Sequence, residues 1–149
     1  MAPILLDDDW LYGGTIDNIF ETISGGRQGM MVAHKDMLSA SEIDTLANAV
    51  SQGQPTSTPL FAEKGCTGCH GEDGKGMHMM GSANLTDKIW RFDGSVAGIK
   101  QTITHGVNSG DPDARVAIMP DFTTAGTLTP VQMKKLAVYV YKLGGGVAQ

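Results

Sequence analysis

Apolar residues recur at intervals of three and four in four segments of the chain, which is the spacing of an amphipathic helix. Each segment follows a serine or threonine, residue types that commonly cap a helix N-terminus. Ser39 with Glu42 and Thr129 with Gln132 have the spacing of a capping box, and Pro130 fits the first helical position. Because period-two alternation is almost absent, we predict an all-α fold.

The predicted helices occur in two pairs because the sequence repeats itself. The two copies align without a gap over their first stretch. The second copy then has eight extra residues, after which Met31 aligns with Met119. The aligned segments are residues 2–26 over 82–106 and residues 38–50 over 128–140. The matched core candidates and caps are Trp10 with Trp90, Thr15 with Ser95, Ile19 with Ile99, and Ile23 with Ile103.

The repeat predicts two unequal units. Residues 54–149 hold a complete copy that includes a motif with both cysteines, whereas residues 1–53 match only its back half and lack that motif. The polar stretch 51–59 is the expected linker. A further helix is predicted to start at Thr58-Pro59 and run into the cysteine motif. In the last helix we expect Leu136, Val140 and Leu143 to continue one apolar face. Residues 144–146 are expected to form its glycine-rich end.

Composition narrows the class of protein. The 149 residues carry a net charge of −5, which argues against a nucleic-acid partner. The charge is uneven, with −6 on residues 1–53 and +1 on the remainder, as expected for two modules or for one solvated acidic face. No apolar run is long enough to span a bilayer, and the N-terminus lacks the basic start of a signal peptide.

The two cysteines stand in the stretch "GCTGCHGEDGKG", as Cys66 and Cys69 followed by His70. This CxxCH spacing is the attachment signature of a c-type haem. The paired thiols can bond two vinyl groups of one porphyrin while the imidazole ligates the iron. A structural zinc site would need two further ligands, and a redox dithiol normally follows a strand. The glycine-rich turn after the motif lacks the frame of a phosphate loop. We therefore predict one covalent haem c.

Met119, in "AIMPDF" and 49 residues after His70, is the predicted sixth ligand of the iron. The distance leaves room for the chain to return on the far face of the ring, and a thioether ligand raises the reduction potential. Rival ligands are three methionines close to the motif and one histidine that would give a bis-histidine site: Met77, Met79, Met80 and His105.

The motifs "LFAEKGCTGCHGEDGKG", "GSANLTDKIW", "IMPDF" and "LTPVQMKKLAVYVYKLGGG" resemble a class I cytochrome c domain. More narrowly, the chain is similar to the dihaem cytochrome c subunit of cbb-type haem–copper oxidases. The resemblance implies three to five helices around a covalent haem. The family has two haem domains behind a membrane anchor, whereas here the first CxxCH and the anchor are missing, so we expect residues 1–53 to be a half copy without haem. In that family pattern Met31 occupies an axial position, but it is followed by valine where the pattern has proline. Within this chain we expect Met31 to be a remnant residue.

The expected function is electron transfer through one haem with His70 and Met119 as axial ligands. The resemblance implies that the acceptor is the catalytic subunit of a terminal oxidase and the donor a soluble cytochrome or a quinol-oxidising complex. It also implies a periplasmic location and a membrane-anchored parent protein of which this chain is a C-terminal portion. Taken alone, the chain is not expected to be an enzyme. Alternatives are a stand-alone periplasmic carrier, a gas-binding haem sensor, a small peroxidase-like enzyme that uses His105, and a docking role for residues 1–53.

Overall fold

The computed structural model describes residues 4–144 and is helical, as the sequence predicts. Pairing outside the helices is limited, over those residues, to three isolated bridges. A helix long and apolar enough to cross a membrane does not occur in the same part of the chain. The helices are α1 (Ile16–Gly25), α2 (Ala40–Ser51), α3 (Leu60–Glu63), α4 (Thr67–His70), α5 (Val96–His105) and α6 (Pro130–Lys142), with a 3-10 turn at Pro55–Ser57.

All four predicted caps are present. The Thr15 hydroxyl accepts a hydrogen bond from the Asn18 amide at 3.2 Å, and the other three caps bond in the same way. Both predicted capping boxes form, at the starts of α2 and α6. Local sequence therefore fixes where the longer helices begin, because these side chains satisfy amide groups that the helix itself cannot.

One local prediction is wrong and another holds only in part. The helix expected from Thr58-Pro59 into the cysteine motif is divided into α3 and α4, because Gly65 has a φ of +76°, which no right-handed helix accommodates. In α6 the buried residues are Met133 and Ala137. Val140 of the predicted apolar face is partly buried, whereas Leu136 is 38% exposed. Residues 145 and 146 of the expected glycine-rich end lie outside the described residues.

The long helices pair across the two copies of the repeat. Helix α1 of the first copy packs on α6 of the second, and α2 of the first copy packs on α5 of the second. Two hydrophobic cores result. The first core is Leu38, Ile43, Leu46, Ala47, Val50, Phe61, Ile99 and Ile103. The second core is Ile19, Ile23, Met133 and Ala137.

The backbone crosses between the copies at equivalent positions. Arg27 and Met119 exchange both amide-to-carbonyl hydrogen bonds, at 3.0 and 2.8 Å. Met31 and Val107 do the same at 3.0 and 2.9 Å. Arg27 and Val107 each follow the glycine that ends an equivalent helix, α1 or α5. Met31 of the first copy therefore lies beside the end of α5 in the second copy. Met119 of the second copy lies beside the end of α1 in the first copy.

Each of the two cores contains residues from both sides of the boundary predicted between residues 53 and 54. That boundary therefore divides the sequence repeat but does not divide the packed cores. In packing terms the molecule has a first lobe around α2–α5 and a second lobe around α1, α6 and the segments that flank them. The division into a half domain and a complete domain remains a prediction.

The first lobe is covered more completely than the second. Phe61 of α3 is buried in the first core, which α2 helps to build, and Leu46 of α2 is 2% exposed. At the equivalent position of α6, Leu136 is 38% exposed. The difference arises because α3 follows α2 after a short linker and packs on it.

Three carboxylates from the two copies meet near the start of the described chain. The Asp9 amide donates to Asp7 Oδ1 at 3.3 Å, and at the equivalent turn the Ile89 amide donates to Asp87 Oδ1 at 2.9 Å. Burial, together with repulsion from Asp87 and Asp7, raises the pKa of Asp9 to about 6, against a smaller opposing effect of His78. Asp9 therefore binds a proton more tightly in the folded protein than in the unfolded chain.

We predict that Leu46→Ala lowers the free energy of unfolding by about 2–5 kcal/mol, the range for a leucine deleted from a packed core. Leu136→Ala, at the equivalent position of α6, removes a side chain that is already partly solvated and should cost clearly less. Denaturant unfolding of the two variants measures the difference. Equal losses would contradict the asymmetry between the lobes.

We predict that Asp9 makes stability fall as pH rises from about 4 to about 6. Its folded-state pKa lies above the unfolded value of 3.8, so the folded protein binds more protons across this window. Asp9→Asn should flatten the dependence of unfolding free energy on pH there. Asp8→Asn, which alters a neighbouring exposed carboxylate, serves as the control. An unchanged slope in Asp9→Asn would refute the prediction.

Candidate haem site

The two thiols belong to the short helix α4, one at its start and the other within it. Cys66 is half-buried and precedes the first residue of α4, and Cys69 is exposed within it. Neither thiol is in a disulfide. The His70 amide donates to the Cys66 carbonyl at 2.9 Å, which keeps the motif in one helical turn. Both sulfur atoms and the imidazole are thus held on one short, rigid element.

His70 is oriented by a hydrogen bond to the main chain. Its Nδ1 lies 3.0 Å from the carbonyl oxygen of Ala83, so the proton belongs on Nδ1. That tautomer leaves Nε2 with a free lone pair, as a metal-ligating histidine requires. Burial, and to a lesser extent the nearby His34, lower the pKa of His70, while the bond to Ala83 opposes them. The imidazole is therefore neutral at neutral pH.

The loop that presents the Ala83 carbonyl is tied back to the motif. The Gly76 amide donates to the His70 carbonyl at 2.8 Å. Gly76 has a φ of +80°, and a side chain there would collide with residues 82 and 83. The Ser82 hydroxyl donates to the Cys69 carbonyl and accepts from the Met77 amide. The glycine-rich turn after the motif therefore allows a close approach of backbones that orients His70.

The Cys66 thiol is in the protonated form. Burial, with a smaller effect of neighbouring Cys69, raises the pKa of Cys66 above its usual value. A half-buried thiol with a raised pKa differs from the activated thiolate of a redox enzyme. Addition to a vinyl group consumes a thiol with its hydrogen, so the site suits attachment of a porphyrin better than dithiol exchange.

One side of the motif packs on the first lobe. Cys66 packs against the first core together with residues from four other segments: Met31, Leu60, Leu85, Trp90 and Val96. This combination of unpaired thiols, a neutral oriented imidazole and apolar walls fits a covalent haem. Cys66, Cys69 and His70 are brought together as the sequence predicts.

Met119 lies in the other lobe. It packs against the second core, alongside Trp10 and Phe122, whereas Cys66 packs against the first. As the sixth ligand of a haem on Cys66 and Cys69, Met119 stays a prediction that this packing does not support.

The four rival ligands differ in burial and in hydrogen bonding. Met79 is 93% exposed, and Met80 is exposed as well, so neither packs on the first core. Met77 is half-buried and donates its amide to the Ser82 hydroxyl. His105, at the end of α5, has its Nδ1 3.0 Å from a carboxylate oxygen of Asp111.

One residue near the site was missed by the sequence reasoning. His34 influences the pKa of His70, and its own Nδ1 is buried without a hydrogen-bond partner. His34 follows Met31 by three residues, as Phe122 follows Met119. Reading the repeat three residues past each methionine would have identified this histidine where the other copy has an aromatic residue.

Comparison with known proteins agrees with this site. The family model described as Cytochrome c matches residues 58–144, which include the CxxCH motif. Curated relatives align along nearly the whole chain. They include the cbb3-type cytochrome c oxidase subunit FixP of Bradyrhizobium diazoefficiens (42% identical) and of Azorhizobium caulinodans (42%), and subunit CcoP of Rhodobacter capsulatus (36%).

The alignments cover 97% of this chain and 52–54% of these three relatives, so the chain spans about half of their length. Because the family model covers more than half of the chain and includes the attachment motif, the chain belongs to the cytochrome c family.

Proposed function

We propose that this chain carries electrons through a single c-type haem attached at Cys66 and Cys69. The observation that carries the proposal is the His70 imidazole, which is neutral, oriented by the Ala83 carbonyl at 3.0 Å, and held in the same helical turn as two free thiols. When bound, the haem supplies reversible one-electron transfer.

The residues of the motif have separate roles. Cys66 and Cys69 would hold the haem, each thiol adding across one vinyl group so that sulfur bonds to one carbon and the thiol hydrogen goes to the neighbouring vinyl carbon. His70 offers Nε2 to the iron while Nδ1 stays bonded to Ala83. A methionine thioether as the second protein ligand would favour the reduced state and leave no vacancy for oxygen. The chain thus acts as an electron carrier and not as the site of oxygen chemistry.

We propose further that the carrier serves a cbb-type terminal oxidase. The support is that the relatives aligned along nearly the whole chain are named subunits of such an oxidase. The catalytic subunit would accept the electron, and a soluble cytochrome or a quinol-oxidising complex would donate it. The proposed location is the periplasmic face of the bacterial inner membrane, where c-type haem is attached in the proteins that this chain resembles.

Intact mass spectrometry of the chain made in cells that mature c-type cytochromes tests the cofactor. The expected mass is that of the polypeptide plus one haem, because the chain has a single pair of cysteines. The double variant Cys66→Ser, Cys69→Ser should carry no covalent haem. A wild-type chain of apoprotein mass, or one that holds zinc, would overturn the proposal.

Carbon monoxide distinguishes a carrier from a gas-binding module. With both axial positions occupied, the optical spectrum of the reduced haem protein should stay unchanged at low CO. His70→Gly, which removes one ligand but leaves both thioether bonds, is the positive control for an open position. A rapid spectral shift of the wild-type protein at low CO would instead favour a sensor.

A further inference from the structure

We propose that Arg115 binds a propionate carboxylate of the haem carried on Cys66 and Cys69, whereas Arg27, its equivalent in the repeat, takes a carboxylate from the protein. The inference rests on the proposed function, because it assigns a further contact to the haem of that proposal. It follows from a contrast between two arginines that occupy the same position in the two lobes.

The two arginines stack on equivalent rings. Beyond the eight extra residues of the second copy Arg27 aligns with Arg115, and before them Tyr12 aligns with Phe92. The guanidinium carbon of Arg27 lies 4.6 Å from the centre of the Tyr12 ring, and that of Arg115 lies 5.6 Å from the centre of the Phe92 ring. A cation at this distance over an aromatic face is attracted to the ring. The repeat therefore places the same pair in each lobe.

The protein satisfies Arg27 with its own side chains. Arg27 Nε donates to the Thr22 hydroxyl at 2.9 Å. A terminal nitrogen of the same guanidinium lies 3.6 Å from a carboxylate oxygen of Glu21. Both partners belong to α1, the helix that Arg27 follows. In the second lobe the arginine thus has a hydroxyl and a carboxylate beside it.

Arg115 lacks both of these contacts. Its Nε is buried and has no hydrogen-bond partner among residues 4–144. At the positions equivalent to the two partners of Arg27, the second copy has Thr102 and Gln101. The Thr102 hydroxyl donates to the Gly98 carbonyl at 3.0 Å, and the Gln101 side chain donates to the Asp113 carbonyl at 3.5 Å. A buried donor without an acceptor costs free energy, so this N–H calls for a partner.

Arg115 belongs to the lobe of the CxxCH motif. Its amide donates to the carbonyl of Gly106 at 3.0 Å, at the end of α5. Its ring partner Phe92 follows Trp90 by two residues, and Trp90 packs against the first core as Cys66 does. The buried N–H without a partner therefore lies in the lobe that holds the two thiols.

The segment 83–92 connects the imidazole to the arginine. It begins at Ala83, whose carbonyl oxygen orients His70, and it ends at Phe92, on which Arg115 stacks. One short stretch of chain thus positions both side chains. A group that contacts His70 and extends along this segment can reach Arg115.

The missing acceptor has the chemistry of a haem propionate. A haem carries two propionate carboxylates on the edge opposite its vinyl groups, so thioether bonds at Cys66 and Cys69 direct the carboxylates away from α4. A guanidinium binds a carboxylate through parallel N–H donors. The equivalent arginine of the second lobe has the carboxylate of Glu21. A carboxylate is then the partner in both lobes, supplied by the protein in one and by the cofactor in the other.

Asp93 is influenced by Arg115 but does not serve as its acceptor. Asp93 is exposed, and its carboxylate accepts from the amide and the hydroxyl of Ser95 at 2.9 and 2.8 Å. These bonds lower the pKa of Asp93 more than the charge of Arg115 does. The other charged groups on the neighbouring segments are Lys35, Arg91, His105, Asp111 and Asp113.

The test compares Arg115→Gln with the matched control Arg27→Gln in the haem-loaded full chain. Loss of a positive charge beside the propionate should lower the reduction potential of Arg115→Gln. The unpaired propionate should also take up a proton as the iron gains its electron, so the potential should fall more steeply with rising pH than in the wild type. Arg27→Gln should keep the wild-type potential at every pH. Arg115→Lys, which restores the charge, should recover most of the lost potential.

A second measurement needs no variant. In the reduced, diamagnetic wild-type protein, the Nε proton of Arg115 should show nuclear Overhauser contacts to the methylene protons of a propionate. These contacts decide the matter if Arg115→Gln does not fold.

An unchanged potential in Arg115→Gln, or an equal loss in Arg27→Gln, would overturn the assignment. So would propionate contacts from Arg27 or Arg91 with none from Arg115. Intact mass separates this failure from failure of the proposed function. A wild-type chain without haem overturns both, whereas a haem-loaded chain in which Arg115 does not contact a propionate overturns only the assignment.

Discussion

The packing of α2 against α5 is the interaction on which the rest of the structure depends. Helix α2 ends at Ser51 and α3 begins at Leu60, so the short linker keeps the cysteine motif beside α2. The apolar face of α2 must be buried, and it is buried by α3 and α5. Once α5 lies there, the chain before α2 is drawn along the end of α5. Burial of one helix face thereby decides which methionine segment reaches the first lobe.

This arrangement changes the role of residues 1–53. Five of the eight residues of the first core come from α2 and the residues just before it: Leu38, Ile43, Leu46, Ala47 and Val50. A purely docking function for this half would leave Phe61, Ile99 and Ile103 without most of their apolar neighbours. Both hydrophobic cores of the proposed haem protein are consequently built from residues on both sides of the linker. The ion pair of Lys35 with Asp111 also joins the two sides outside the core.

The sequence was most informative where chemistry is local. Thr15, Ser39, Ser95 and Thr129 begin the helices predicted for them, because capping depends on residues three positions apart. The cysteine motif identified the cofactor class for the same reason. The repeat also marked Ile19, Ile23, Ile99 and Ile103 as core residues. Sequence could not reveal which copy of a helix each one meets, since equivalent copies offer nearly equivalent apolar faces. The exposure of Leu136 in α6 was not anticipated, because the partner of that helix could not be known from the sequence.

Methyl NMR on the haem-loaded chain tests most directly whether α2 pairs with α5 and α1 with α6. Ala47 and Ala137 occupy equivalent positions in α2 and α6, and both are completely buried, at 0% exposure. The account predicts nuclear Overhauser contacts from the Ala47 methyl group to the methyl groups of Ile99 and Ile103. Contacts from Ala137 to those two isoleucines, with none from Ala47, would show that each copy keeps its own helix and would contradict the account.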